Sequence, residues 1–170
     1  MKLIENHNLT HDNYYQNTDY VSNSMLNNLT GKSPEYFRFM MDNPQPTTPA
    51  MKFGSAFHMN VLQPQEFNRN YAVSPKFDKR TKQGKIDYAE FVKANILKTV
   101  ISEQDYELIE QMTDKLMRDS DAKTMLTKGI KEHIIAWENE EYGVKCRGML
   151  DVYKKDLNII IDLKTTQDSS

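Results

Sequence analysis

Cysteine is nearly absent from this sequence. Cys146 stands alone, which excludes a disulfide framework and a cysteine-built zinc cluster and fits a reducing compartment. Chain breakers are also scarce, with 6 Gly and 6 Pro in 170 residues, so a low-complexity or collagen-like chain is excluded. No apolar run approaches the roughly 18 residues that span a bilayer. The start, Met1-Lys2-Leu3-Ile4-Glu5-Asn6-His7, lacks the apolar segment of a secretory signal. Nor is there an excess of one charge. Lys and Arg total 22 against 24 Asp and Glu, a net charge of −2. A protein that coats nucleic acid by bulk charge is thereby excluded, and a local basic patch is not. A soluble cytoplasmic protein with no membrane contact is expected, with its function concentrated in a site.

Hydrophobic residues make up 38%, with 9 Tyr, 7 Phe and 10 Met, a composition that buries a core rather than staying disordered. The length suits one domain. Residues 1–22 are polar, rich in Asn and Tyr, and without period; they read as an N-terminal arm, with the domain over 23–170. Ser22 or Ser24 can cap a short helix that Gly31 stops. Ser33-Pro34-Glu35 is a helix start, with Ser as cap and Pro in the first turn. The helix it opens carries Tyr36, Phe37, Phe39, Met40 and Met41, expected as core. Residues 43–49 form a Pro-rich linker. Residues 50–62 read as a helix whose Met51, Gly54, Ser55, His58 and Leu62 share one face. Small residues at its middle allow close approach to a sheet. Tyr71–Val73 reads as a short strand. A basic stretch over 76–85 reads as a loop, followed by a helix at about 87–97. Ser102 and Asp105 open a long amphipathic helix with Tyr106, Ile109, Met112 and Leu116 inward, and a short helix to Leu126 follows.

After Gly129 the period changes to that of strands. Residues 132–138, 144–153 and 158–164 read as three strands joined by turns. The expected class is α/β (α+β), with antiparallel strands over 131–164 packed on N-terminal helices.

Two acids sit in these apolar strands. Asp151 closes Gly148-Met149-Leu150-Asp151, and Asp162 follows Ile159-Ile160-Ile161. A period of two puts Asp162 and Lys164 on one strand face, and a hairpin can bring Asp151 beside Asp162. Neighbouring carboxylates repel, and a divalent cation removes that penalty. Oxygen ligands suit Mg²⁺ or Mn²⁺. A lysine beside such a cation can orient or deprotonate an attacking water, which is equipment for phosphodiester hydrolysis. Glu132 is a lesser candidate to support the site from the neighbouring strand, and His133 reads as structural. Lys79, Arg80, Lys82 and Lys85 read either as a solvated loop or as a clamp on DNA phosphates, with Thr81 as a neutral contact. Thr165 and Thr166 either cap a following helix or touch phosphate. Trp137 reads as core, and Cys146 as a buried strand residue.

Asp151…Asp162-Leu163-Lys164 resembles the D…(D/E)-x-K signature of the restriction-endonuclease-like (PDDEXK) nucleases. Gly54-Ser55-Ala56-Phe57-His58 with Leu62-Gln63-Pro64 resembles the G-(S/T)-A-x-H…L-x-P helix of the RecB/RecE branch. Ser22-Asn23-Ser24, Ser33-Pro34, Arg80-Thr81-Lys82-Gln83-Gly84-Lys85 and Asp162-Leu163-Lys164-Thr165-Thr166 follow in the order seen in RecE-type exonuclease VIII domains, so the resemblance spans about residues 14–170. It implies a restriction-endonuclease-like core and metal ligation by His58, Asp151, Asp162 and the Leu163 carbonyl, with Lys164 as catalytic lysine. It further implies a Mg²⁺- (or Mn²⁺-) dependent exonuclease acting 5′ to 3′ on linear duplex DNA in phage-type recombination. Its implied partners are double-stranded DNA ends, a ring-shaped homo-oligomer and a single-strand annealing recombinase. The family's basic residue two positions before the first acid is replaced by Met149; the nearest cations are Arg147 and Lys145, and Arg147 is the candidate DNA contact. The family also continues beyond the D-x-K motif with a helix carrying Q-x-x-x-Y, so residues 23–170 are expected to be the N-terminal part of a nuclease domain. Two competing readings are a non-catalytic DNA-end-binding module and a structural or interaction protein. The first predicts binding without cleavage; the second predicts no Mg²⁺ or Mn²⁺ binding.

Overall fold

The structure, a computed structural model, describes residues 1–5 and 7–166. Its class is the expected mixture of helix and strand with an antiparallel sheet. The chain divides into two compact units, Met1–Pro46 with Gly129–Asp162, and Thr47–Lys128 with the chain from Leu163 onward.

The first unit is built on a sheet ordered β1-β4-β5-β6, comprising Lys2–Leu3, Ile130–Asn139, Val144–Lys154 and Ile159–Ile161. All three pairings are antiparallel. The β4–β5 turn forms because Asn139 Oδ1 accepts from the backbone N–H of Glu141 and Tyr142, and Gly143 supplies a φ of +61°. A 3₁₀ turn over Lys155–Leu157 reverses the chain again, closed by Asn158 at φ +53°. Leu9, Tyr14 and Tyr20 pack with Ile134 and Ala136 into a buried cluster. The segment read as an arm therefore supplies three of the five cluster residues, and Val21 bridges to Cys146. Cys146 is buried as expected, and Trp137 is half-buried. Helix α1 (Asn23–Asn27) is capped by Ser22 and α2 (Pro34–Asp42) by Ser33. The core role expected for α2 is corrected: it buries none of its residues, and Phe39 is 56% exposed.

In the second unit α3 (Pro49–Leu62) and α4 (Pro64–Asn70) lead into β2 (Tyr71–Ser74). Strand β2 pairs in parallel with β3 (Thr99–Ser102), and parallel strands need a crossover. Helix α5 (Lys82–Ala94) supplies it. Helices α6 (Glu103–Arg118) and α7 (Ser120–Leu126) follow, and the Ser102 side chain accepts from Asp105 N–H as its cap. Ile109 on α6 is fully buried. Asn60 of α3 donates to Glu110 and Thr113 of α6. Phe67 stacks on Tyr71 and Tyr106 with centroids 4.9 and 6.0 Å apart. The buried stripe of α3 is Ala56, Phe57, Val61 and Leu62, so only Leu62 of the face expected from the sequence is buried, and Met51 is 59% exposed. No helix among the described residues is long and apolar enough to cross a membrane.

Candidate metal centre

Two carboxylates stand side by side across β4 and β5. In the β4–β5 ladder Lys131 pairs with Val152 and His133 with Leu150, so Glu132 stands opposite Asp151 between them. In the β5–β6 ladder the last pair is Val152 with Ile161, and Asp162 follows immediately past the strand end. In-register neighbours on adjacent strands project to one sheet face. Glu132 and Asp151 each offer a carboxylate oxygen, and these lie within 4.8 Å of one another.

The pair is strained. Glu132 has φ +50°, a left-handed conformation that costs a non-glycine residue about 1–3 kcal/mol and that clusters at functional sites. Its carboxyl is pushed up to about 7, first by burial and then by the negative charge of Asp151. A carboxylate so destabilised favours a proton or a cation. Oxygen donors of this kind fit a hard divalent cation, so the residues present suit the metal that the resemblance implies.

The expectation that β6 runs to Lys164 is corrected: it ends at Ile161. The ladder stops where two carboxylates would face each other, and like charges directly opposite are unfavourable in a sheet. Asp162 and Lys164 are exposed and Leu163 is half-buried, all past the strand end. The shared strand face inferred for Asp162 and Lys164 therefore does not follow from β6. Thr165 is exposed, and a Cβ at Gly54 would lie 3.4 Å from its Oγ1. The small middle of α3 thus accommodates the chain that follows the D-x-K motif. His58 is half-buried on α3, edge-on to Phe57 with centroids 6.4 Å apart.

The basic stretch is only half a loop. Helix α5 begins at Lys82, five residues before the start expected. Thr81 Oγ1 donates to the Asp78 carbonyl and accepts from Gly84 N–H. Thr81 is thus a helix cap, with both hydrogen-bonding capacities engaged. Arg80 is ion-paired to Asp78 at 2.9 Å; Lys79, Lys82 and Lys85 are exposed.

Arg147, the candidate DNA contact, is 4% exposed. Its Nη1 donates to the Asn17 carbonyl at 2.6 Å and its guanidinium lies 4.8 Å from the Tyr14 ring centroid. It ties the N-terminal segment to β5, and that placement leaves it no surface for a phosphate.

Glu132 was the weakest of the sequence candidates. The turn could have singled it out. A hairpin turn centred between Glu141 and Tyr142 pairs Asp151 with Glu132 by counting alone.

Residues 22–170 match the family described as a PDDEXK-like domain of unknown function (DUF3799). A search of curated proteins finds no match.

Proposed function

The chain belongs to this PDDEXK-like family, and on that premise we propose that it is a metal-dependent DNA nuclease. The finer reading is an exodeoxyribonuclease that digests linear duplex DNA 5′ to 3′, with Mg²⁺ or Mn²⁺ as cofactor. The observation that best supports the metal-dependent reading is the pair Glu132 and Asp151, with Glu132 pushed up to about 7; the substrate end and polarity rest on the resemblance.

Asp151, Asp162 and Glu132 would hold the cation, with His58 and the Leu163 carbonyl completing the set by resemblance. When bound, such a cation supplies Lewis-acid charge to the scissile phosphate and lowers the pKa of an attacking water. Lys164 orients that water and offsets negative charge developing on the phosphate. Lys79, Lys82 and Lys85, with Arg80 released from Asp78, bind backbone phosphates and set register without reading sequence. Thr165 would touch phosphate beside Lys164. Double-stranded DNA ends, a ring of identical chains and a single-strand annealing recombinase are the proposed partners, in the cytoplasm and in phage-type recombination.

The test is degradation of 5′-phosphorylated linear duplex DNA with Mn²⁺, against closed circular DNA, using Asp162→Ala and Lys164→Ala as controls. Loss of linear DNA alone, abolished by both substitutions, is expected. Binding of DNA ends without cleavage would instead favour a non-catalytic module. No cleavage and no manganese binding would favour an interaction protein.

A further inference from the structure

The second unit has an open cavity of about 470 Å³ whose lining, Lys79 apart, has no role in the reading above. Small-molecule sites typically occupy roughly 300–1,000 Å³. Strands β2 and β3 run parallel in step, and their last residues, Ser74 and Ser102, are paired. The cavity opens beside these ends, lined by Ser74 and Ser102 with Lys76, Phe77, Lys79 and Tyr88. The crevice outside the carboxyl ends of parallel strands is the usual ligand position in open α/β sheets.

Its lining combines two chemistries. Phe77 and Tyr88 are half-buried, 5.8 Å apart, and Phe91 backs Phe77 at the same distance. Together they form a supported aromatic wall. Lys76 and Lys79 are exposed, and neither is ion-paired to a carboxylate among the described residues. Glu103 is the one acid in the lining. Lys79 Nζ rests over the Tyr88 ring, 3.4 Å from its centroid. A cation–π contact at an exposed site is weak, and a phosphate oxygen is a stronger partner for an ammonium. A phosphate at the rim would draw Lys79 off the ring and bare that face for stacking. Stacking on aromatic rings beside a cationic track is how sequence-tolerant single-strand binders work.

We infer that this cavity takes one unstacked nucleotide of a single DNA strand, its base against Tyr88 and its phosphate on Lys76 and Lys79. The inference rests on the DNA-processing reading for its choice of ligand, and it uses neither metal nor cleavage. A free nucleoside monophosphate carries the same chemistry.

The test is fluorescence anisotropy of a labelled oligo(dT) 12-mer in EDTA, with the full chain, Tyr88→Phe, Tyr88→Leu, Lys79→Ala and Lys76→Ala, and with dTMP as competitor. Expected are unchanged binding by Tyr88→Phe, about a tenfold rise in Kd for Tyr88→Leu, and a weaker salt dependence for Lys79→Ala. Lys76 is also at the surface and has no part in the duplex contacts above, so the same loss of salt dependence in Lys76→Ala decides the matter if Tyr88→Leu does not fold. Oligonucleotide binding that ignores these substitutions overturns the inference, even where the chain cleaves duplex DNA. Binding that follows the substitutions in a chain that never cleaves keeps the site and discards the nuclease. Equal affinity for dTMP and the 12-mer overturns the strand as occupant in favour of free nucleotides.

Discussion

Glu132 makes a pH-dependent contribution whose sign can be worked out. Its folded-state pKa of about 7 lies above the ordinary glutamate value of about 4.5. Below about 4.5 it is protonated in both states and has no effect. As pH rises toward 7 the unfolded chain releases the proton first, so folding is progressively penalised, and the full penalty holds above 7. The group is partly exposed, so screening leaves about 1 kcal/mol. Glu132→Gln should therefore raise Tm at pH 8 by about 2–4 °C and flatten the pH dependence between 5 and 8. A thermal melt series checks this; an unchanged slope would mean that neither burial nor the Asp151 charge raises Glu132. Arg147 belongs to the same scale. Arg147→Ala removes a charge-assisted hydrogen bond to Asn17 and the contact with Tyr14. It should cost about 1.5–3 kcal/mol while leaving DNA affinity per folded molecule unchanged. Affinity that falls without a loss of Tm would restore the phosphate contact. Lys164 is exposed, and its proposed role belongs to rate: Lys164→Ala should lose about 10²–10⁴-fold in cleavage, as for an acid–base group, beyond any change in Tm.

Elements were readable where a local motif specifies them and misread where a partner decides. Ser33-Pro34 and Ser102…Asp105 announce helix starts by capping chemistry, and both helices begin there. Thr81 announces α5 the same way, but the surrounding cations read as loop. Gly84 shows why the helix starts so early. A Cβ there would lie 2.1 Å from the Asp78 carbonyl oxygen, so glycine lets the loop fold onto the first turn. Gly84→Ala should destabilise by about 1–3 kcal/mol and lower Tm; an unchanged melt would show that the turn can open freely. Helix α2 fails the other way. Its Tyr36, Phe39 and Met40 look like core, but hydrophobicity does not say whether a partner surface exists, and none of them is buried. Four-residue β3 was missed because Thr99–Ser102 is too short for its alternation to register. Asp151 was legible as an acid inside an apolar strand, which is where β5 holds it. Glu132 needed the second hairpin's arithmetic, and its left-handed backbone leaves no mark in the sequence.

The whole chain places its chemistry in two compact units. The sheet unit carries the carboxylate pair, and the helical unit carries His58 and the basic start of α5. Most of the sheet unit's framework is mundane packing, with Val152 fully buried directly beside Asp151. That rigidity matters for a metal site, whose ligands must be held before the ion arrives. If Glu132 and Asp151 form a cation site, a thermal melt at pH 8 with and without Mn²⁺ reports it. A ligand that binds only the folded state at 100 times its Kd adds about 2.7 kcal/mol. A rise in Tm of several degrees that Asp151→Asn abolishes is expected. An equal rise in Asp151→Asn, or none in the unaltered chain, would contradict it.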